Sequence, residues 1–254
     1  MARLTFLGTG TSQGVPMVAC PCEVCHSADP RDRRLRSSVL VSDGATNVVI
    51  DAGPDFRYQM LREGVTHIEA ILLTHEHKDH TGGIDDVRAF NYFQQRATDI
   101  YATERVQAAV RKDFDYAFAE KRYPGVPEIH LHDITDADIT IGSLTFTPIY
   151  GLHYRLPIVG FRVGRAAYLT DFNHIDDAEI EKLRGVDTLI VNALRWEKHI
   201  SHFTVEEAVA LSRRVAPRRT LLTHCSHQIG LYAEVAPQLP DGVEIAYDGL
   251  SVEI

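Results

Sequence analysis

Residues 74–80 read Thr74-His75-Glu76-His77-Lys78-Asp79-His80, so three imidazoles and a carboxylate fall within six residues. Imidazole and carboxylate are the donors that suit zinc and similar first-row divalent ions. His75 and His77 can face the same way in an extended turn. Asp79 and His80 can then serve a second ion as the chain curls into a helix. A polar surface loop with incidental histidines seldom carries four potential ligands at this density, so the segment is read as part of a metal site. Three more residues stand just past apolar runs: His153 after Tyr150-Gly151-Leu152, Asp171 after Tyr168-Leu169-Thr170, and His224 after Leu221-Leu222-Thr223. A histidine in such a place is, taken singly, more often a hydrogen-bonded structural residue. Their common position past strand ends groups them with the first cluster.

A second constellation is Cys20-Pro21-Cys22-Glu23-Val24-Cys25. Three thiolates this close suit a tetrahedral zinc that lacks one ligand. Cys225, His227 and His26 are the candidates for the fourth, and three buried or free thiols are the plainer alternative.

These side chains need elements that end where chemistry is done, and α/β folds place it in loops at strand ends. The continuous apolar run Ala70-Ile71-Leu72-Leu73 predicts a buried strand over 69–74 that runs straight into the histidines. Alternation predicts a strand over 3–7, followed by the glycine-rich stretch 8–14. Strands over 38–41 and 47–51 form a hairpin around Asp43-Gly44. Pro54 opens a helix to about Arg62, with Gly64 as a stop. Helical patterns follow over 84–93 and 104–121, then strands over 138–141, 144–149, 158–163 and 166–169. A helix over 178–184, a strand over 188–191, a capping box at Thr204-Val205-Glu206-Glu207 with its helix, and a strand over 220–222 come next. A short helix and two strands finish the chain. Two groups of strands, each followed by helices, suit an α/β fold of two stacked sheets with helices outside, a four-layer αββα sandwich; periodicity alone would fit other α/β layouts equally well.

The 254 residues are 44% apolar, enough for one sizeable core, and no long Pro/Gly/Ser linker interrupts them, which favours a single domain over 1–254. With 26 basic and 35 acidic residues the formal charge is −9, which disfavours general nucleic-acid binding but leaves room for a local basic patch. No stretch reaches the ~18 apolar residues that span a bilayer, and no signal-peptide pattern follows Met1. The expectation is a cytoplasmic protein without membrane association. Thiols stay reduced there, so the four cysteines are expected to be ligands or free thiols. Oligomeric state is not readable, and a homodimer is compatible with the sequence.

The spacing His-x-His-x-Asp-His, followed by distant His153, Asp171 and His224, resembles the metallo-β-lactamase superfamily. Gly8-Thr9-Gly10 and Ile50-Asp51-Ala52-Gly53 match the same pattern, and the motifs keep their order along essentially the whole chain. The resemblance implies the metallo-β-lactamase fold, with two mixed sheets, and a binuclear metal-dependent hydrolase. It implies that His75, His77 and His153 hold one divalent metal, that Asp79, His80 and His224 hold the other, and that Asp171 bridges them. Asp51 would orient a ligand from behind. The two-zinc β-lactamases usually carry cysteine at the position of Asp171. Aspartate there is the pattern of phosphodiesterases, RNase Z-type nucleases and glyoxalase II-type thioesterases.

Gln13-Gly14-Val15-Pro16, the cysteine run, Leu222-Thr223-His224-Cys225-Ser226-His227-Gln228 and Tyr247-Asp248-Gly249 resemble one subgroup, the phosphoribosyl 1,2-cyclic phosphate phosphodiesterases of the PhnP type. That resemblance implies a structural zinc on Cys20, Cys22, Cys25 and His227, with Cys225 left out. It is weak over 92–130. The implied substrate is a small cyclic or otherwise phosphorylated phosphodiester. Two ions, zinc or manganese, roughly 3.5–4 Å apart can share a hydroxide and clamp phosphoryl oxygens. Asp79 and His202 are expected to take part in catalysis; His202 matches an active-site histidine of related nucleases and phosphodiesterases, and His199 is its nearby competitor. Arg88 and Tyr123 are candidate substrate contacts, although Arg88 could equally pair with Asp85 or Asp86 on the surface. Residues 112–127 fit either a lid or an ordinary amphipathic helix and turn. An RNase Z-like nuclease, a glyoxalase II-type thioesterase and a metal-binding protein without turnover are the competing readings. The acidic charge, the lack of a C-terminal helical domain and the completeness of the ligand set weigh against them in turn.

Overall fold

The computed structural model describes residues 2–254. The chain lays down six strands in succession, β1 Arg3–Gly8, β2 Ser38–Ser42, β3 Asn47–Ile50, β4 Ala70–Leu72, β5 Thr98–Ala102 and β6 Ile129–Asp133. Seven more follow: β7 Ile139–Ile141, β8 Leu144–His153, β9 Leu156–Val163, β10 Ala166–Leu169, β11 Thr188–Asn192, β12 Arg219–Thr223 and β13 Val243–Ile245. The last strand, β14 Ser251–Glu253, returns to the first group. Two seven-stranded sheets result, in the orders β14-β1-β2-β3-β4-β5-β6 and β13-β12-β11-β10-β9-β8-β7. Both are mixed. In the first, β14, β1, β2 and β3 pair antiparallel and β3 to β6 parallel. In the second, β7 to β10 pair antiparallel and β10 to β13 parallel.

The apolar runs are continuous because both faces of the central strands are covered. Successive side chains alternate between faces. Val48, Ile50, Ala70 and Leu72 point between the sheets, where they meet Phe146, Phe161, Tyr168, Ile190 and Leu221 of the second sheet. Val49, Ile71 and Leu73 point outward onto the helices Phe56–Arg62, Val87–Gln94 and Glu104–Asp113 through Phe56, Met60, Val87, Val106 and Val110. Leu169, Leu189, Val191 and Leu222 do the same on the other side, against Ile180 of the helix Asp177–Glu181 and Val205, Ala208 and Leu211 of the helix Val205–Val215. The result is the four-layer αββα sandwich of the metallo-β-lactamase fold. The capping box is formed: Glu207 N–H donates to Thr204 Oγ1 and Glu207 Oε2 accepts from Thr204 N–H. No described helix is long and apolar enough to cross a membrane.

Several elements differ from the sequence expectation. Strands β5 and β6 carry no counterpart in it; Thr98-Asp-Ile-Tyr-Ala102 and Ile129-His-Leu-His-Asp133 alternate with too few apolar residues to stand out. The helix expected over 104–121 stops at Asp113, and a separate turn of helix, Asp115–Phe118, follows. Phe114, at φ −119° and ψ 41°, leaves the helix between them, and its ring enters the core. β8 continues past Ile149 to His153 itself.

Parallel pairing brings strand ends together. The carboxyl ends of β3 and β4 lie side by side in one sheet, as do those of β10, β11 and β12 in the other. The turn after β3 packs closely on the histidine segment: Ala52 N–H donates to His80 O and Gly83 N–H to Ala52 O. A Cβ on Gly53 would lie 1.9 Å from the carbonyl oxygen of Asp79. Gly53→Ala is therefore expected to destabilise the fold by about 1–3 kcal/mol, the range of overpacking, and to weaken metal retention, as read by denaturant unfolding and elemental analysis. Wild-type stability in that variant would mean that this close approach is not needed.

Candidate metal centre

The sequence sends each functional side chain out of a strand end through a tight turn. Asp51, Asp171 and His224, just after β3, β10 and β12, have φ values of 65°, 66° and 53°. Such left-handed backbone is uncommon for residues other than glycine and concentrates at functional sites. His77 caps the one-turn helix Lys78–Thr81, which turns Asp79 and His80 toward the same region. His153 arrives as the last residue of β8.

All seven residues expected as ligands converge. His75, His77 and His153 offer one nitrogen each within 4.8 Å of one another; so do the ligand atoms of His75, His80 and Asp171, and those of Asp79, Asp171 and His224. Asp171 also groups with His153 and His202. Asp171 thus belongs to three of these four groups: its Oδ1 lies 3.1 Å from Nε2 of both His224 and His202, and its Oδ2 lies 3.3 Å from Nε2 of His80. His75 Nε2 and His77 Nδ1 are 3.0 Å apart.

Behind this ring of donors stands a second set of contacts that fixes how the imidazoles face. His80 Nδ1 lies 2.6 Å from Asp51 Oδ2. His75 Nδ1 lies 3.0 Å from Thr74 Oγ1, and that hydroxyl contacts both oxygens of Asp51. His153 Nδ1 faces the carbonyls of Asp171 and Ser201 at 2.9 and 2.8 Å. His224 Nδ1 lies 3.0 Å from Ser37 Oγ. In each case Nδ1 is engaged and Nε2 is left pointing into the centre, the arrangement that prepares a histidine to ligate a metal. Asp51 thus supports two histidines, one directly and one through Thr74. Thr74, Ser37 and Ser201 were not foreseen from sequence, and only Thr74, adjoining His75, carried a signal that could have marked it.

The donor set can be tested against an ion by its own chemistry. His80 Nε2 is buried and has no hydrogen-bond partner, although Asp79 Oδ2 and Asp171 Oδ2 lie 3.2 and 3.3 Å away. No lysine or arginine among the described residues hydrogen-bonds to Asp51, Asp79 or Asp171. Burial resists the charge on Asp171, yet His224 and His80 hold it well below the usual carboxylate range. Burial likewise opposes ionisation of Asp79, which His80 pulls down. Burial pushes His224 down to about 3 and His75 well below its ordinary value. His80 alone is held high: burial opposes its charge, and Asp79, Asp171 and Asp51 outweigh it. Carboxylates and imidazoles buried together, each pulling on the other's charge, form a donor set whose charge a bound cation would balance.

Cys20, Cys22, Cys25 and His227 form a separate group, with ligand atoms within 4.8 Å of one another. Sγ of Cys22 and Cys20 lie 3.2 and 3.4 Å from His227 Nδ1. The His227 contact first, and the Cys25 backbone next, lower the Cys22 thiol to about 6, whereas burial pushes Cys25 up to about 11. The other two candidates for the fourth position are engaged elsewhere. His26 Nδ1 lies 3.0 Å from the carbonyl of Cys22, and buried Cys225 contacts the carbonyl of Thr223.

The two candidate substrate contacts stand apart from this network. Arg88 pairs with Asp85 at 2.6 Å, and Asp85 also accepts from Tyr116 Oη. Tyr123 is 81% exposed and its side chain hydrogen-bonds to none of the cluster. Residues 112–127 comprise a helix end, the Asp115–Phe118 turn and an exposed loop.

Residues 46–225 match the family model of the β-lactamase superfamily domain, and the chain belongs to that superfamily. A crystal structure described as a new diphosphatase from the PhnP family superposes with a TM-score of 0.93 at 41% identity, covering 100% of this chain and 98% of that one. Zinc-bound PqqB from Methylobacterium extorquens superposes with a TM-score of 0.80 at 20% identity, covering 99% of this chain and 100% of that one, a likeness of fold. An octanoyltransferase of Porphyromonas gingivalis is 40% identical over 255 residues, 99% of this chain and 51% of its own length, so the chain spans about half of that relative. Superfamily, fold and ligand set together define a metal-dependent hydrolase. Within that class its neighbour at 41% identity is the PhnP-family protein.

Elemental analysis of purified protein is expected to give three metals per chain. Replacing Cys20, Cys22 and Cys25 together by serine is expected to lower the count by one and to destabilise the fold. An unchanged count would remove the cysteine group as a metal site.

Proposed function

We propose that this chain is a binuclear metal-dependent phosphodiesterase that cleaves a small cyclic or otherwise phosphorylated substrate. The observation that carries the reading is the place of Asp171, whose carboxylate groups with His75 and His80, with His153 and His202, and with Asp79 and His224. His75, His77 and His153 would hold one ion, Asp79, His80 and His224 the other, with Asp171 common to both. Zinc and manganese both suit these donors. The ions would supply Lewis acidity and a water of lowered pKa. The remaining work falls to the chain. Asp51 and Thr74 keep His80 and His75 facing inward. His202, with Nε2 3.1 Å from Asp171 Oδ1, borders the centre and would hand the leaving oxygen its proton. A cleft also opens beside His202, lined by Asn173, Lys198, His199, Ile200 and Glu207.

A second reading is favoured by one specific observation, the diphosphatase named among the solved structures at 41% identity. In an organic diphosphate the bond broken is a phosphoric anhydride rather than an ester. The same donors face the same kind of phosphoryl centre, and the leaving group is a phosphate that needs less help from an acid.

Purified protein loaded with zinc or manganese is expected to hydrolyse bis-p-nitrophenyl phosphate and a cyclic ribose phosphate, and to leave nitrocefin intact. Turnover of a nucleotide diphosphate with none on any diester would move the assignment to the second reading. Nitrocefin hydrolysis without activity on either phosphorus substrate would overturn both. His202→Ala is expected to retain the full metal complement and to slow diesters with alkyl leaving groups by about 10²–10⁴-fold, the usual range for general acid catalysis. The same change should matter less for p-nitrophenyl esters, whose leaving group needs little protonation. Loss of a metal would make His202 a ligand instead.

A further inference from the structure

His199 belongs to none of the metal-donor groups, yet it touches the residue that the proposed reaction needs most. It lies on the loop between β11 and the helix Val205–Val215. Its Nδ1 is 3.0 Å from Nδ1 of His202. The opposite edge of the His202 ring is held by Asp171, with Nε2 3.1 Å from Oδ1. Ser201 ties the pair together, its Oγ lying 3.3 Å from His199 Nδ1 and 3.1 Å from His202 Nδ1. The loop is itself anchored to the centre. The carbonyl of Ser201 accepts from Nδ1 of His153 at 2.8 Å, and that of Ile200 accepts from Asn173 Nδ2 at 3.3 Å.

An imidazole that is not gripped can turn over about its Cβ–Cγ bond, because that torsion is broad. A turn of the His202 ring would replace Nε2 by carbon at the edge facing Asp171. A contact at Nδ1 opposes that turn, since the carbon that would take its place offers no bond to His199. The backbone at the N-terminal side of the helix fixes where the ring begins, but only a side-chain partner fixes which edge faces the centre. We propose that His199 is a positioning residue that acts through His202, holding its Nε2 toward Asp171 and the departing oxygen. This rests on the reading of His202 as the proton donor.

The test uses the full chain loaded with zinc, with metal content measured for every variant, and a diester with an alkyl leaving group. His199→Phe keeps the ring and removes the nitrogen; His199→Asn restores a polar atom near the position of Nδ1. The Phe variant is expected to lower kcat by about 10–10²-fold, a part of the general-acid range, with KM within twofold and the metal count unchanged. The Asn variant is expected to recover most of the loss. The double variant of His199→Phe and His202→Ala is expected to be no slower than His202→Ala alone, as for two residues acting as a unit. Losses that multiply in the double variant, or a raised KM with kcat intact, would show that His199 meets the substrate by itself and would overturn the inference. Full activity in His199→Phe, where His202→Ala is slow, would overturn it too and leave the proton-donor reading standing. Full activity in His202→Ala would remove both. Should the Phe variant fail to fold, His199→Ala takes its place: a lowered kcat with KM and metal count unchanged would support the inference, and full activity would overturn it.

Discussion

Buried negative charge is the constraint around which this molecule is arranged. Asp51 and Asp171 are almost wholly enclosed between two apolar sheets, and Asp79 is nearly so. An isolated carboxylate in such a place costs several kcal/mol. Among the described residues, no lysine or arginine pairs with these three. What offsets them is fixed: the amide and hydroxyl of Thr74 and Nδ1 of His80 on Asp51, and the hydroxyl of Thr170 with three imidazoles on Asp171. The histidine-rich segment, the left-handed turns and the small hydroxyl residues at strand ends all serve that balance. His80, facing Asp51 at 2.6 Å on one edge and Asp79 and Asp171 on the other, sits where these charges meet.

The same arrangement divides each imidazole into two working edges. In His75, His80, His153 and His224 one nitrogen is committed to an oxygen of the scaffold and the other faces the centre. Rigidity follows from the type of partner. His153 is held by two backbone carbonyls, so its orientation depends on the path of the chain, whereas His75 and His80 depend on one buried carboxylate. A fault at Asp51 would therefore reach both halves of the centre.

The cysteine group is joined to the centre through the chain itself. His227 lies three residues past His224, and the intervening Cys225 pairs with the glycine-rich loop, its N–H donating to Thr9 O while Thr11 N–H donates to its carbonyl. Gly10, between them, accepts from Ser37 Oγ, which is also the neighbour of His224 Nδ1. Asp248 ties the other end of the chain to the same loop by accepting from Thr9 N–H, Thr9 Oγ1 and Leu35 N–H. An ion on the four sulfur and nitrogen donors would thus brace the loop that backs His224.

The sequence by itself determined the parts whose signal is local. Four donors within 75–80, three cysteines within 20–25, the capping box at Thr204 and the long apolar strands could be read directly, because density of ligands, spacing and period are properties of a short stretch. The order of motifs and the aspartate at 171 pointed to the superfamily and away from lactam hydrolysis. Strands β5 and β6 escaped, since five residues with two or three apolar side chains look like a loop until a parallel neighbour pairs with them. For Arg88 the sequence left two readings open, and in the structure the side chain pairs with Asp85, the surface partner that the sequence also offered. Only the tertiary structure decided which side chains gather around Asp171, that Asp51 contacts His80 directly and His75 through Thr74, and that Ser37 lies behind His224. Each of those contacts joins residues whose meeting depends on parallel strand pairing, on the packing of one sheet against the other, or on the direction a loop side chain takes, and none of these is set by the residues on either side in the chain.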